Sequence, residues 1–319
     1  MSLFRFVREA IGAKRTMPAW MILGGVVVFA IVTSPFFWQS DNIGNVLRQS
    51  VALGIVSIGQ TYVILIAGID LSVGSTISLV SVLSTGMMGG RTEMILPAVV
   101  CALLLGLVIG LANGLIVTKL KVPDFLVTLG TMFIVGGTAL AYTPKPAGLV
   151  ARPFALIARA SWGPLPVSVI GFTFLVAIAI LILNKTTLGR YIYAVGGDAE
   201  VARLSGIKVG QTKLLAYMIC GFTAALAGLF VASRTTIGDP MVGSGFELAS
   251  IAAVVIGGTS LFGGRGGLSG TILGVLIMSV LANVLNLLNV GGYTQLMIRG
   301  VIIILVVSSY ERKRALVVG

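Results

Sequence analysis

Residues 51–89 decide the fold, with the sequence VALGIVSIGQTYVILIAGIDLSVGSTISLVSVLSTGMMG. This stretch holds two apolar runs, 51–69 and 73–89, separated by a short polar break at Asp70. A helix that spans a membrane needs roughly 20 predominantly apolar residues. The stretch therefore predicts two membrane-spanning helices joined by an interruption at Asp70.

The composition of the whole chain agrees with a membrane protein. Of 319 residues, 57% are hydrophobic and only 10% are charged, and the mean hydropathy is +1.07. Soluble domains carry about 25% charged residues, so a soluble enzyme and a nucleic-acid-binding domain are excluded. The chain has no histidine, which excludes histidine-based catalysis and histidine metal sites. We predict no catalytic residue and no metal site.

Apolar runs along the chain predict an all-α integral membrane protein with about ten transmembrane helices. They lie at 17–37, 51–69, 73–89, 94–117, 125–142, 166–184, 214–233, 247–262, 268–289 and 293–309. With the N-terminus inside, the inner loops hold 15 of the 22 Lys and Arg residues and the outer loops hold 6. Because cytoplasmic loops are enriched in Lys and Arg, both termini are predicted to lie in the cytoplasm.

Three landmarks recur in the same order in the two halves of the chain. They are a polar break at 69–75 and 237–244, Gly-Gly-Arg at 89–91 and 263–265, and Leu-Ala-Asn at 111–113 and 281–283. In the ten-span topology the two halves run in opposite directions. Spans 2–5 and 7–10 are therefore predicted to form two inverted repeats, an arrangement typical of transporters.

Glycines at four-residue spacing predict close contacts between helices. Each of two trios is expected to lie on one helix face, where small residues let backbones approach. The trios are Gly106, Gly110 and Gly114, and Gly266, Gly270 and Gly274.

Asp70 is the most informative single residue, because a carboxylate in mid-membrane costs roughly 2.5–3.5 kcal/mol. Gly68 and Ser72 beside it suit a helix break. Asp70 is either a structural cap at the membrane edge or a residue that lines or gates a pathway, and the two roles are compatible. Other polar residues in the spans or at the second break are candidates for the same pathway, with plain packing as the alternative: Gln60, Ser72, Ser75, Asn113, Asp239, Ser244 and Glu247. Glu247 is expected to pair with Arg299.

The 185–213 loop is the longest polar segment predicted on the inner side. Its residues 198–204 are predicted to form one or two amphipathic helical turns that end at Gly206. Ala199, Ala202 and Leu204 are expected to dock into a groove on a partner. Asp198, Glu200 and Arg203 would then fix the polar register. A solvated loop without a partner is the alternative.

Four motifs in this order resemble those of the ribose-type sugar permeases of bacterial ABC importers, a family that also includes branched-chain amino acid permeases. They are GIDLSVGS at 68–75, the stretch from Gly189-Arg190 to RLSGI at 203–207, the stretch 247–264, and LNLL at 285–288. The resemblance extends from about residue 40 to 310. One departure is Asp198, where family members commonly have asparagine.

The resemblance implies a permease that works by alternating access in the bacterial inner membrane. Its partners would be a cytoplasmic ATP-binding-cassette ATPase, a periplasmic sugar-binding protein, and a second permease copy in a homodimer or a paralogous heterodimer. ATP and Mg would bind the ATPase, so this chain would be neither an enzyme nor a cofactor-binding protein. The residues implied to contact the ATPase are Gly189, Arg190, Gly197, Asp198, Glu200, Arg203, Leu204, Ser205 and Gly206.

The chain is accordingly predicted to be a single transmembrane permease domain over 1–319, for a monosaccharide whose identity the sequence leaves open. It would have a cytoplasmic segment at 1–16, the coupling loop at 185–213 and a cytoplasmic tail at 310–319. The main alternative is a stand-alone secondary transporter, with Asp70 and Glu247 as ion-coupling carboxylates. A membrane-embedded enzyme is disfavoured, because the ten acidic residues are spread along the chain.

Overall fold

The computed structural model describes residues 13–163 and 165–295, together with residues 297, 298, 300, 301 and 304. Arg299 and the predicted tail 310–319 lie outside the described residues, as does most of the predicted segment 1–16. The predicted pair between Glu247 and Arg299 therefore stays a prediction.

The described chain is mostly helical, which agrees with the prediction of an all-α membrane protein. The helices are α1 Ala13–Thr33, α2 Ser40–Leu65, α3 Val73–Met88, α4 Ile95–Leu115, α5 Asp124–Tyr142, α6 Arg152–Arg159, α7 Val167–Lys185, α8 Thr187–Gly197, α9 Ala199–Leu204, α10 Val209–Thr235, α11 Phe246–Ile256 and α12 Leu268–Leu287. A 3-10 turn, Thr92–Met94, precedes α4, and a π-helical stretch, Ile116–Leu120, continues it. Two short strands, β1 Ser161–Trp162 and β2 Leu165–Pro166, pair antiparallel between α6 and α7.

Six segments are long and apolar enough to cross a membrane. They are Thr16–Thr33, Thr92–Leu120, Asp124–Tyr142, Val167–Lys185, Val209–Thr235 and Leu268–Leu287. α3 and α11 are apolar but shorter, and α2 is long but carries more polar side chains. Each of the first nine predicted spans overlaps one of the helices α1–α5, α7 and α10–α12. The tenth lies largely outside the described residues, so the count of ten stays a prediction.

The helices differ in how much of their surface the protein covers. In the most apolar stretch of α10, 67% of the residues are buried, against 17% in α7. α10 packs on α2, α3 and α4, and the central cluster of buried side chains includes Ile58, Tyr62, Tyr217 and Cys220. α1, α5 and α7 instead expose large apolar side chains such as Phe29, Phe133 and Phe174. This is the distribution expected of interior helices surrounded by helices that face lipid.

Glycines let α4 and α10 cross at close range. Gly106 and Gly110 of α4 lie against the backbone of Gly221 and Tyr217 in α10. A Cβ atom at Gly110 would overlap the carbonyl oxygen of Tyr217 and would lie 2.9 Å from the Cα atom of Met218. The predicted glycine face of this helix is therefore a helix–helix contact.

The second glycine trio differs from the prediction. Gly270 and Gly274 of α12 pack on the backbone of α11 and its end, at Gly257 and Ala253. Gly266, however, precedes α12 and adopts a φ of +126°, so it belongs to a turn and not to the helix face. Four-residue spacing in the sequence could not locate the first residue of the helix.

Replacing Gly110 with valine is expected to destabilise the protein, because no side chain fits between α4 and α10. Overpacking of this kind costs about 1–3 kcal/mol. The matched control is Gly130→Val in α5, where a Cβ atom meets nothing within 4 Å. The measurement is the thermal midpoint of the detergent-solubilised protein. Equal midpoints for the two variants would contradict the close contact.

Candidate functional site

The polar break after α2 is buried and ordered by hydrogen bonds. α2 ends at Leu65, Ala67 takes the left-handed conformation with a φ of 61°, and α3 begins at Val73. The Asp70 side chain is 1% exposed, and its Oδ1 accepts the backbone N–H of Ser72 at 2.9 Å and the Ser72 hydroxyl at 2.6 Å. Asp70 therefore organises the turn that starts α3, and it does so in the protein interior.

Ser72 connects this turn to two further helices. Its Oγ accepts a hydrogen bond from Asn113 Nδ2 of α4 at 3.0 Å. The Asn113 Oδ1 in turn accepts the hydroxyl of Thr131 in α5 at 2.6 Å. Ser75 donates to the Ser72 carbonyl at 2.9 Å. The predicted residues Asp70, Ser72, Ser75 and Asn113 thus belong to one hydrogen-bonded network.

Gln60 joins this region from α2. Its Oε1 lies 3.7 Å from the thiol of Cys220 on α10, and the thiol also faces the Asp70 carboxyl. Both Gln60 and Cys220 are fully buried. The Gln60 amide nitrogen makes no hydrogen bond within the described part of the chain. Because a buried amide without a partner is costly, this nitrogen is available to a polar group that enters the network.

Three residues that sequence reasoning missed fix the other side of the break. The Asp124 Oδ2 accepts the backbone N–H of Ile69 at 3.2 Å and the Tyr217 hydroxyl at 3.3 Å. The Thr128 hydroxyl donates to the Ile69 carbonyl at 3.1 Å. The only local signal was an acidic residue directly after Pro123, at the start of a helix.

The second break, residues 236–245 between α10 and α11, has similar local chemistry. The Asp239 Oδ1 accepts the backbone N–H of Met241 at 2.8 Å, the same two-residue turn that Asp70 makes with Ser72. The Glu247 Oε1 accepts the backbone N–H of Gly245 at 3.0 Å. Asp239 and Glu247 are partly exposed, and Ser244 is exposed. The two breaks therefore share one local turn, in which an aspartate accepts the N–H of the residue two positions later.

The two breaks meet at a pair of glycines. Gly74, near the start of α3, and Gly243, in the second break, approach so closely that a Cβ atom on either would overlap the backbone of the other. A Cβ atom on Gly74 would also overlap the Glu247 carboxylate. The Gly243 N–H donates to the Ser78 hydroxyl of α3 at 3.0 Å. The first break and the second break, which are distant in sequence, thus pack against each other at Gly74 and Gly243.

The 185–213 loop forms two helices, α8 and α9, joined at Asp198. The Asp198 Oδ1 accepts the backbone N–H groups of Glu200 at 2.8 Å and Val201 at 3.0 Å, so Asp198 caps α9. The Arg203 Nε donates to the Glu200 carboxylate at 2.9 Å. This hydrogen bond holds the pKa of the Glu200 carboxyl below its usual range. Aspartate here performs the capping that asparagine also performs.

The exposed face of α9 differs in one residue from the prediction. Leu204 and Val201 are 72% and 59% exposed, whereas Ala202 is 3% exposed because it packs on the protein's own core. Ala202 is therefore unavailable to a partner, and the exposed branched apolar side chains of α9 are Val201 and Leu204. The remaining predicted contact residues Arg190, Gly197, Glu200, Arg203, Ser205 and Gly206 are exposed, while Gly189 is buried.

α8 rests directly on the end of α2 that leads to Asp70. Gly196 packs against the Leu65 carbonyl, leaving no room for a Cβ atom. The same carbonyl accepts the N–H of Gly264 at 2.9 Å, and the Tyr193 hydroxyl donates to the Gly266 carbonyl at 2.9 Å. α8 is thus in direct contact with the segment that leads into the break at Asp70.

The chemistry of these sites is that of binding and movement. In the described part of the chain, no group of three or more Cys, Asp or Glu side chains is placed to hold a metal ion. The polar groups converge on helix breaks, where backbone N–H and C=O groups are free of helical hydrogen bonds.

Comparison with known proteins agrees with these features. Residues 42–307 match the family described as the permease component of the branched-chain amino acid transport system. The ribose import permease protein RbsC of Escherichia coli K12 is 39% identical over 317 residues, which cover 95% of this chain and 98% of that protein. RbsC of Bacillus subtilis 168 is 40% identical over 307 residues, covering 95% of each chain.

A permease for a different sugar is also similar. The L-arabinose transport system permease protein AraH of Escherichia coli K12 is 36% identical over 303 residues, covering 92% of each chain. No solved structure matches the chain. The resemblance that the four motifs indicated is confirmed, and the chain belongs to the permease family of bacterial ABC importers as a multi-pass membrane protein.

Proposed function

We propose that the chain is the permease subunit of an ATP-driven importer for a monosaccharide of the ribose class. The observation that carries this proposal is the similarity over nearly the whole length to relatives named for ribose import, at 39–40% identity. The chain itself is not an enzyme. ATP and Mg bind a partner ATPase, and no cofactor is bound by this chain.

The translocation pathway runs beside the contact between the two breaks. Three features support this placement: the buried network of Asp70, Ser72 and Asn113, the Gln60 amide nitrogen without a partner among the described residues, and the close approach of Gly74 and Gly243. Irregular backbone within a membrane is stable only where protein or a water-filled cavity surrounds it. Ser75, Asp239, Ser244 and Glu247 border the same contact.

The cytoplasmic ATPase binds the 185–213 loop. The exposed Val201 and Leu204 supply apolar contact, and the rigid pair of Glu200 and Arg203 supplies polar register. α8 carries the displacement to Leu65 and so to the break at Asp70. The periplasmic face receives a sugar-binding protein, and a second permease copy, identical or paralogous, completes the pathway.

The topology proposed for this function has ten spans and both termini in the cytoplasm. Spans 2–5 and 7–10 form the inverted repeats, within a single permease domain over 1–319. The matching turns of Asp70 and Asp239 support the repeat, as does the short apolar helix after each break. Asn113 and Asn283 both lie near the ends of their helices, α4 and α12.

The structure offers less support for an ion-coupled secondary transporter. Asp70 and Glu247 accept separate backbone N–H groups, from Ser72 and Gly245. Among the described residues no hydrogen bond joins these two carboxylates. If Asp70 and Glu247 held one coupling ion together, their carboxylates would have to face each other, whereas here they organise different turns.

Reconstitution tests the proposed function directly. We expect labelled ribose to enter proteoliposomes that contain this chain and its ATPase, provided that ATP is enclosed on the ATPase side and the binding protein is present outside. Uptake should stop when ATP is replaced by a non-hydrolysable analogue. Uptake by the chain alone, driven by a proton or sodium gradient, would contradict the proposal.

A substitution at Asp70 separates the structural role from the pathway role. Asp70→Asn keeps an oxygen that can accept the Ser72 N–H but removes the carboxylate charge. We expect at least about a tenfold loss of ATP-driven uptake with unchanged amounts of folded protein, because loss of one charge-assisted hydrogen bond is worth about 1.5–3 kcal/mol. Asp41→Asn, at an exposed position outside this network, is the control. Full uptake by Asp70→Asn would show that the residue only caps α3.

Substitution of Leu204 tests the coupling surface. Leu204→Ala is expected to lower binding of the ATPase and ATP-driven uptake by about fivefold or more, because an exposed apolar anchor is lost. The control is Leu120→Ala, since Leu120 is 69% exposed at the end of a different segment. The measurements are co-purification of the ATPase and substrate-stimulated ATP hydrolysis. Equal behaviour of the two variants would remove Leu204 from the interface.

A further inference from the structure

A polar cavity of about 500 Å³ lies at the end of the molecule away from α8 and α9. It opens between the start of α2, the end of α6, and the ends of α10 and α12. Its lining consists of Asn42, Asn45, Arg48, Gln49, Ala158, Arg159, Arg234, Asn283 and Asn286. Three of these side chains are arginines, and neither an acidic nor an aromatic side chain is among them.

The arginines of the cavity lack counter-charges. Arg48 Nη1 donates to Asn45 Oδ1 at 3.3 Å, while its buried Nε has no partner within the described residues. Arg159 Nη2 donates to the backbone carbonyl of Arg234 at 3.4 Å, which draws these two residues together. Across the described ranges the one ion pair joins Glu200 and Arg203, and neither of these residues lines the cavity. Asp41, next to Asn42, is exposed and does not line the cavity.

Amide side chains give the cavity a fixed wall. Asn42 and Asn283 exchange two hydrogen bonds, of 3.0 and 2.7 Å, that tie α2 to α12. Asn42 also donates to the Phe37 carbonyl at 2.9 Å. Asn286 accepts a hydrogen bond from Gln295 at 2.7 Å. Since Asn42 and Asn283 satisfy each other, the guanidinium groups, which have no acidic partner among the described residues, determine which ligand the cavity prefers.

Converging guanidinium groups favour an anionic oxygen ligand. A planar guanidinium matches the oxygens of a phosphate or carboxylate, and the resulting bonds are charge-assisted. A neutral sugar would leave the repulsion between the cations uncompensated. The cavity is therefore distinct in chemistry from the buried break at Asp70, whose titratable residue is acidic.

The surroundings of the cavity place it at the level of lipid headgroups. Trp38 precedes α2 and Trp162 follows α6, and both indoles are exposed, as is typical of a membrane–water interface. α6 buries Phe154 and Ala158 but exposes Leu156 and Ile157 beside Arg159. A short amphipathic helix of this kind lies in the interface plane with its apolar side chains toward the acyl chains.

We propose that this cavity binds the phosphate of an anionic phospholipid, with Arg48, Arg159 and Arg234 as the headgroup site. The acyl chains then lie along Leu156 and Ile157. The bound lipid compensates the three cations and fastens α6 to the ends of α2 and α10. The proposal concerns a lipid site and holds whether or not the chain carries a monosaccharide.

Native mass spectrometry of the purified full-length chain tests the site. The probes are phosphatidylglycerol, phosphatidylcholine with the same acyl chains, and inorganic phosphate. We expect the wild-type protein to retain one phosphatidylglycerol in preference to phosphatidylcholine. Arg48→Gln and Arg159→Gln, on different helices, should each weaken this retention by about tenfold, the loss expected for one charge-assisted contact.

Arg152→Gln is the matched control, because Arg152 is exposed on the same short helix and does not line the cavity. It should retain the lipid as the wild type does. Equal retention of the lipid by all variants would overturn the proposal. Displacement by millimolar inorganic phosphate would overturn the lipid as occupant and identify a free-anion site. Unchanged lipid retention with weakened docking of the sugar-binding protein would identify a protein interface instead.

Discussion

The hydrogen bonds that satisfy the buried carboxyl group of Asp70 determine the local architecture. Asp70 bonds both the N–H and the hydroxyl of Ser72, and this contact sets the first residue of α3. Ser72 then binds Asn113 of α4, which binds Thr131 of α5. A buried polar group without partners is costly in a membrane. Three helices are therefore held in register by the need to satisfy a single side chain.

Features with a local signal were predictable from sequence. An apolar run of membrane-spanning length gives a helix almost regardless of its neighbours, so the first nine runs coincide with helices. The amphipathic stretch 198–204 predicted a short helix, and α9 begins at Ala199 with Asp198 as its cap. Two predictions were wrong. Ala202 was placed on the exposed face of α9, and Gly266 was placed within α12 although the helix begins at Leu268. Both depend on packing against distant segments.

Features made by distant residues could not be predicted. Asp124 holds Ile69 across 55 positions, and Asn42 pairs with Asn283 across 241. Each residue alone is an ordinary polar side chain near a helix end. The same holds for the arginine-lined cavity, whose members come from four helices and have no common spacing. The outer segment between α5 and α7 appeared as a loop, because α6 is too short to give a span signal.

The contacts of α8 explain how one surface can act on both halves of the chain. Gly196 packs against the Leu65 carbonyl at the end of α2. A Cβ atom on Gly196 would also lie only 2.6 Å from the backbone nitrogen of Gly264. The first contact leads to the break at Asp70, and the second leads through Gly266 and Gly267 into α12. Backbones that pack directly on each other, without side chains between them, are poorly compressible and transmit a displacement. A displacement of α8 would therefore reach both segments, which is what the proposed rocking of two halves requires.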